Sequence, residues 1–355
     1  MKLGIIGASS QVGSSVAYYL KKYTDIELVC FIRSTYSKVF FDLHGISSDF
    51  IDLNNKAELK QKLQSCNAVI DFTYPAGEIF SISRSVDKIL ENIISSIPGN
   101  SVYIYMSSIM AYGMPPAEKK IKSYAISHSS YSFIKRKAEK KCLDMGKKFG
   151  VKTYNFRLGQ VHGFLQSVNT SFREKLNQNT IAFIDGNEAD LTNTVFINSV
   201  AEAIIKFSKN SETPGTYTLI SNPQWTLKQL YDYYTEFYDI PVSLKFIPKE
   251  QSKRNIIFNI SSILTFFKKY RPLLETYVLM NMPSILLKIK GKYRENEIRQ
   301  IKNNSYQEVS YLDYNLLGKP DRKVINEINS DYKTVFSLEK EMYHYYSDLI
   351  NQNRY

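Results

Sequence analysis

Tyr131 and Lys135, the ends of Y131-S-F-I-K135, are side chains of types that can move a proton together. On a helix, residues four apart stand one above the other. A phenol titrating near ~10 is a poor base at neutral pH, and an adjacent ammonium is expected to stabilise the phenolate and lower that value. A tyrosine so tuned gives or takes the proton that accompanies hydride movement at a carbinol or ketone. Ser108, at the end of a strand, is placed to hydrogen-bond the same oxygen, with Ile109 and Met110 beside it as further substrate contacts. Spacing alone is weak, because 27 Tyr and 46 Lys+Arg among 355 residues produce such pairs by chance. Tyr18 and Lys22 repeat the spacing in the first helix, where no chemistry is assigned.

Context separates the two pairs. Val102, Ile104 and Met106 alternate with Tyr103, Tyr105 and Ser107, which predicts a strand leading to Ser108. The Gly-Met-Pro-Pro run that starts at Gly113 then breaks regular structure. From Ser130 to Phe149 the spacing is helical, with Tyr131, Lys135, Ala138, Cys142, Met145 and Phe149 on one face.

The N-terminus supplies a second kind of chemistry. Lys2–Ile6 reads as a strand, G7-A-S-S-Q-V-G13 as a glycine turn, and the residues to about Lys22 as a helix buried along Val12, Val16, Tyr19, Leu20 and Tyr23. Free backbone N–H groups and the helix dipole at such a turn favour a pyrophosphate, so Gly7, Ser9, Ser10, Gln11, Val12 and Gly13 are candidate cofactor contacts. The next strand, Glu27–Ile32, ends in Arg33 and Ser34 rather than in a carboxylate. That pair suits a 2′-phosphate, so NADP is the expected cofactor and NAD the alternative. Asp52 and Leu53, closing a short strand from Phe50, are expected beside the adenine. Phe72 and Thr73 are expected at the carboxyl end of the strand from Asn67, facing the cofactor.

Strands and helices continue to alternate: a helix over Ser81–Ile97, a strand over Val151–Arg157, another over Thr194–Ile197, a helix over Val200–Phe207 and a strand over Pro214–Ile220, with Thr226 capping a further helix. The fold class is therefore α/β, a Rossmann-like doubly wound parallel sheet with a smaller, mostly helical C-terminal substrate lobe. Residues 1–165, with 194–220 returning, form the dinucleotide-binding part; 166–193 and 221–355 form the substrate lobe and a C-terminal extension. Asn169 and Arg173 are candidates for the substrate cleft.

Composition bounds the rest. Hydrophobic content of 43% and charge of 23% describe an ordinary globular chain. Cys30, Cys66 and Cys142 have neither metal spacing nor a disulfide pattern, the start has no secretory segment, and the expected location is the cytoplasm. No metal site is expected. A net charge of +12 favours anionic ligands or an acidic membrane surface, and no motif supports nucleic-acid binding. The apolar stretches at 256–267 and 272–287, interspersed with Lys and Arg, read as a lid on the substrate lobe, or else as a peripheral membrane contact. The tail from Phe336 to Ile350 is amphipathic and is expected to pack back on the body.

Over residues 1 to about 230 the chain resembles the extended short-chain dehydrogenase/reductases, the NAD(P)-dependent epimerase/dehydratase family. The likeness is carried by G7-A-S-S-Q-V-G13, with Ser10 at the middle glycine, by M106-S-S-I-M-A-Y-G113, Y131-S-F-I-K135 and R157-L-G-Q-V-H-G163, and by V195-F-I-N-S-V-A-E-A203. The resemblance implies Tyr131 as proton donor or acceptor, Lys135 lowering its pKa and holding the nicotinamide ribose, and Ser108 on the reacting oxygen. It also implies cofactor phosphates at Gly7, Gly13 and Arg33, and a homodimer. Members act on nucleotide-activated sugars, which makes a small-molecule, nucleotide-linked sugar the expected partner, reduced or epimerised. Ile109 and Met110 stand where dehydratases carry Asp-Glu, which disfavours dehydration. Thr192 stands at the family's diphosphate Arg, Gln160 at an Asn, and Asn198 and Ser199 at two Asp. The alternatives are a non-catalytic NAD(P)-sensing protein on the same fold, and a membrane-surface enzyme acting on a lipid-linked sugar.

Overall fold

Short β-branched and aromatic runs make the sheet, because strands covered by helices on both faces must be apolar on both. The structure, a computed structural model, describes residues 1–75, 79–112, 130–169, 176, 180–221, 224–248, 341, 342 and 344. Arg173, the stretches 256–267 and 272–287, and most of the tail lie outside them.

The elements of the first part are β1 (Lys2–Ile6), α1 (Gln11–Tyr23), β2 (Glu27–Ile32), α2 (Thr35–Leu43), β3 (Ser48–Phe50), α3 (Lys56–Leu63), β4 (Ala68–Asp71), α4 (Ile79–Ile94), β5 (Val102–Ser108), α5 (Ser130–Phe149) and β6 (Lys152–Leu158). A single 3₁₀ turn, Ile109–Tyr112, follows β5. Then come β7 (Gln160–His162), β8 (Ile181–Asp185), β9 (Thr194–Phe196), α6 (Ile197–Ser208), β10 (Gly215–Leu219), α7 (Leu227–Phe237) and β11 (Ser243–Ile247). Seven strands form one parallel sheet in the order β10-β6-β5-β4-β1-β2-β3, and two small parallel pairs, β7 with β9 and β8 with β11, stand outside it. The order reverses direction between β1 and β4, so a crevice opens there at the carboxyl ends.

Both faces are covered. Leu3, Ile5, Val102, Ile104 and Met106 join α1, α2 and α6 in one core; Ile6, Val69, Tyr103 and Tyr105 join α3, α4 and α5 in the other. A third cluster packs β8 and β11 against α7 through Ala182, Ile184, Leu230 and Tyr234. Thr226 caps α7 with a full capping box to Gln229. Met342 is buried in the first core and Glu341 pairs with Lys22 of α1 at 2.6 Å, so this part of the tail lies against the sheet domain. No helix among the described residues is long and apolar enough to cross a membrane.

Three local expectations need correction. Tyr23 is 46% exposed, and Ser15 and Ala17 are buried instead, because α1 lies so close to its neighbours that small residues face inward. The strand expected from Phe50 ends there, leaving Asp52 and Leu53 in the following turn. The helices α2 and α3 and the strands β7, β8 and β11 were not anticipated: each is short, and in β8 the apolar but exposed Ile181 and Phe183 mask the alternation of buried Ala182 and Ile184.

Candidate active site

The turn after β1 is shaped by two glycines. Gly7 has φ +69, and a Cβ on it would lie 3.0 Å from the Thr73 amide nitrogen; one on Gly13 would lie 2.7 Å from the Gly7 carbonyl oxygen and 2.8 Å from Ser10 Oγ. Ser10 is the N-cap of α1, its Oγ accepting from the Gly13 N–H at 3.1 Å, which explains a serine at the middle position of the motif. No acid occupies the first turn of α1, so the field there suits an anion. Gln11 is anchored from the other side, its carbonyl accepting from Gln166 Nε2 at 2.9 Å and its Oε1 from the Ser167 hydroxyl at 3.2 Å. Ser9 and Val12 complete the turn, Val12 half-buried against the core.

The end of β4 comes up against this turn. Phe72 is buried and its N–H donates to the Ile6 carbonyl at 2.9 Å, while Thr73 borders Gly7. The Asp71 side chain, fully buried, accepts from the Thr73 N–H at 2.7 Å and from the Tyr103 hydroxyl at 2.5 Å. Three residues on from Asp71, the Tyr74 ring meets the Tyr131 ring at 5.0 Å.

The acid/base candidates form one group. Lys135 is 4% exposed and its Nζ donates to the Met106 carbonyl at 2.8 Å, with the rings of Tyr105, Tyr74 and Tyr131 at 4.8, 5.4 and 5.8 Å. Ser108 lies near enough to the Tyr131 hydroxyl to favour its ionised form, and its Oγ accepts from the Met110 N–H at 3.2 Å. Ile109 is buried beneath them. Burial pushes the Lys135 ammonium down to about 8, against the upward pull of Asp71 and Glu139.

The phenol departs from expectation. Tyr131 is held above its ordinary value, because burial of its oxygen outweighs the lowering influence of Ser108. As a residue Tyr131 is 36% exposed, yet desolvation is still the largest influence on its hydroxyl. Lys135 does not supply the expected lowering: its Nζ is turned to a backbone carbonyl and sits over ring faces rather than at the phenol oxygen.

The sequence reading overlooked Asp71, Tyr74, Tyr105 and Glu139. Glu139, one turn beyond Lys135, accepts the Ser107 hydroxyl at 2.6 Å and the Arg157 guanidinium in a fork, Nε at 2.8 and Nη2 at 2.6 Å. The step of four from Tyr131 to Lys135 to Glu139 was the available signal.

Other residues stand apart from this group. Arg33 is exposed at the end of β2, and Ser34 is the N-cap of α2, accepting from the Ser37 N–H. Asp52 accepts from the Asn54 N–H at 2.9 Å, and the Leu53 carbonyl accepts from Asn92 Nδ2 at 3.0 Å. Asn169 is 1% exposed and its Oδ1 accepts from the Gly163 N–H at 3.2 Å, bracing the loop after β7. Thr192 is buried too, its hydroxyl donating to the Trp225 carbonyl at 3.0 Å. Among the described residues no group of His, Cys, Asp and Glu could hold a metal ion.

Comparison with known proteins agrees with this architecture. No curated protein matches the sequence. Among solved structures, UDP-glucuronic acid 4-epimerase from Bacillus cereus, in complex with UDP-glucuronic acid and NAD, superposes with a TM-score of 0.53 at 16% identity, over 70% of this chain and 86% of that one. UDP-N-acetylglucosamine 4-epimerase from Bacillus cereus gives 0.56 at 17% identity, over 72% and 91%. The UDP-N-acetylglucosamine 4-epimerase from Methanobrevibacter ruminantium M1 gives 0.56 at 16%, over 70% and 85%. At these identities the likeness establishes the fold. The sequence itself matches the model of the NAD dependent epimerase/dehydratase family over residues 3–219, more than half of the chain. The chain belongs to that family and is an enzyme of the extended short-chain dehydrogenase type.

Proposed function

We propose that the protein reduces or epimerises a nucleotide-linked sugar, with Tyr131 moving the proton and Ser108 orienting the reacting oxygen. The observation that carries this reading is the joined set of Ser108, Tyr131 and buried Lys135 beside the glycine turn. The turn residues Gly7, Ser9–Gly13 and Thr73 would hold a nicotinamide dinucleotide, whose ring supplies the hydride acceptor or donor. The fit is supported by the acid-free first turn of α1, which the close approach of Gly13 to the Gly7 carbonyl sets directly after the turn. Exposed Arg33, which forms no ion pair among the described residues, supports NADP over NAD at the adenosine end. Asp52 and Leu53 would border the adenine.

In this arrangement Tyr131 holds its proton at neutral pH, the state needed to protonate a ketone during reduction. To accept a proton from a sugar hydroxyl it must first lose its own, and Ser108 favours that loss. Solved structures with this fold include 4-epimerases of UDP-sugars, which supports the substrate class. Tyr131→Phe is expected to lower turnover of a keto- or nucleotide-sugar by about 10²–10⁴-fold while retaining the copurified dinucleotide, identified by mass spectrometry. Full activity in that variant would overturn the assignment.

A further inference from the structure

Two of the rings around Lys135 belong to regular elements and one does not. Tyr105 lies within β5 and is 1% exposed, and Tyr131 stands in the first turn of α5. Tyr74 lies three residues past the end of β4, outside any helix or strand, and is 38% exposed. Its position is nonetheless set from both sides. On one, the Phe72 N–H donates to the Ile6 carbonyl at 2.9 Å and the Thr73 N–H to Asp71 Oδ1 at 2.7 Å, which ties the chain down as far as the residue before Tyr74. On the other, Pro75 follows, and a residue before proline is confined to extended backbone.

Held there, the Tyr74 ring meets two partners. Its centroid lies 5.0 Å from that of Tyr131, at an interplanar angle of 56°, and 5.4 Å from Lys135 Nζ. The same Nζ lies over Tyr105 at 4.8 Å and over Tyr131 at 5.8 Å, and it donates to the Met106 carbonyl. Ring faces and a carbonyl oxygen are surroundings that suit an ammonium removed from water.

We propose that Tyr74 is a positioning residue of the acid/base site: its ring braces the Tyr131 ring and closes a three-tyrosine cage around the Lys135 ammonium. The brace stands one residue beyond Thr73, which borders Gly7, so the glycine turn and the proton-moving group are held by one short run of chain. The ring of Tyr74 does this, and its hydroxyl has no part in it. The effect on turnover rests on the Tyr131 reading above; the cage itself does not.

The test compares Tyr74→Ala, which removes the ring, with Tyr74→Phe, which keeps it. Tyr74 is exposed, so neither substitution empties a core site and both variants should fold. In NMR of the full chain with lysine ¹³C-labelled at Cε, the Lys135 signal is identified by its loss in Lys135→Met. Protons held over aromatic faces are displaced upfield by the ring current. The Lys135 signal should therefore move downfield in Tyr74→Ala and stay in place in Tyr74→Phe. Turnover is followed with UDP-N-acetylglucosamine and UDP-glucuronic acid. There kcat should fall about 10–10²-fold in Tyr74→Ala, with KM and dinucleotide retention close to the wild type, and Tyr74→Phe should keep the wild-type kcat. A Lys135 signal unmoved in Tyr74→Ala overturns the proposal. So does an undiminished kcat in that variant, or an equal loss in both, which would assign the effect to the hydroxyl. A moved signal together with full activity in Tyr131→Phe leaves the cage standing and removes the functional reading. An inactive Tyr131→Phe with an unmoved Lys135 signal does the reverse.

Discussion

The same spacing of tyrosine and lysine has two outcomes in one chain. Lys22 lies 5.9 Å from the Tyr18 ring, but it faces outward and is paired with Glu341. Lys135 keeps similar company with Tyr131 yet is buried. Helical spacing makes neighbours; removal from water makes them chemically unusual. A parallel distinction applies to glycines. A methyl at Gly13 would strike the Gly7 carbonyl and Ser10 Oγ, whereas one at Gly99 would meet nothing within 4 Å. Gly13→Ala should therefore cost about 1–3 kcal/mol in urea unfolding and weaken dinucleotide retention. Gly99→Ala should stay within about 0.5 kcal/mol of the wild type.

At the scale of elements, α5 is the arm that delivers the chemistry. It carries the partly exposed Tyr131 and the buried Lys135 and Glu139, each one turn apart. Glu139 ties this arm to β5 through Ser107 and to β6 through Arg157. Arg157 is 16% exposed in its side chain, so removing its partner strands a largely buried cation. Glu139→Gln is expected to destabilise the protein by about 3 kcal/mol, read from the urea midpoint. Adding Arg157→Met should recover much of that loss, because no buried charge is then left alone. Equal and additive losses would show that the pair does not act as a unit.

At the scale of the molecule, His162 joins the edge of the sheet domain to α7. It is fully buried, its Nδ1 lies 2.7 Å from the Tyr234 hydroxyl, and burial pushes its pKa down to about 3. A folded value below the unfolded one gives stability that is complete above pH ~6.5 and is lost as pH falls toward about 3. The slope contributed is about 1.4 kcal/mol per pH unit over that window. The wild type should thus lose several kcal/mol more between pH 7 and pH 4 than His162→Gln, measured by urea denaturation at the two values. Equal losses in both would mean that His162 is not what makes the molecule acid-sensitive.

The parallel sheet and the helix carrying the Tyr-Lys pair were legible in the sequence, because a strand buried on both faces must be written in β-branched and aromatic residues, and α5 keeps its period for 20 residues. So was the glycine turn, whose backbone needs are local. What tertiary structure alone decided is who meets whom across the chain. β8 pairs with a strand that follows only after α7, Asp71 finds its donor on β5, and Glu139 its cation on β6. Those partners are set by sheet order and register, which no local pattern records. The direction of the Tyr131 shift belongs to the same class. Spacing brings an ammonium near the ring, but the depth at which the phenol oxygen lies fixes the sign, and depth is a property of the packed molecule.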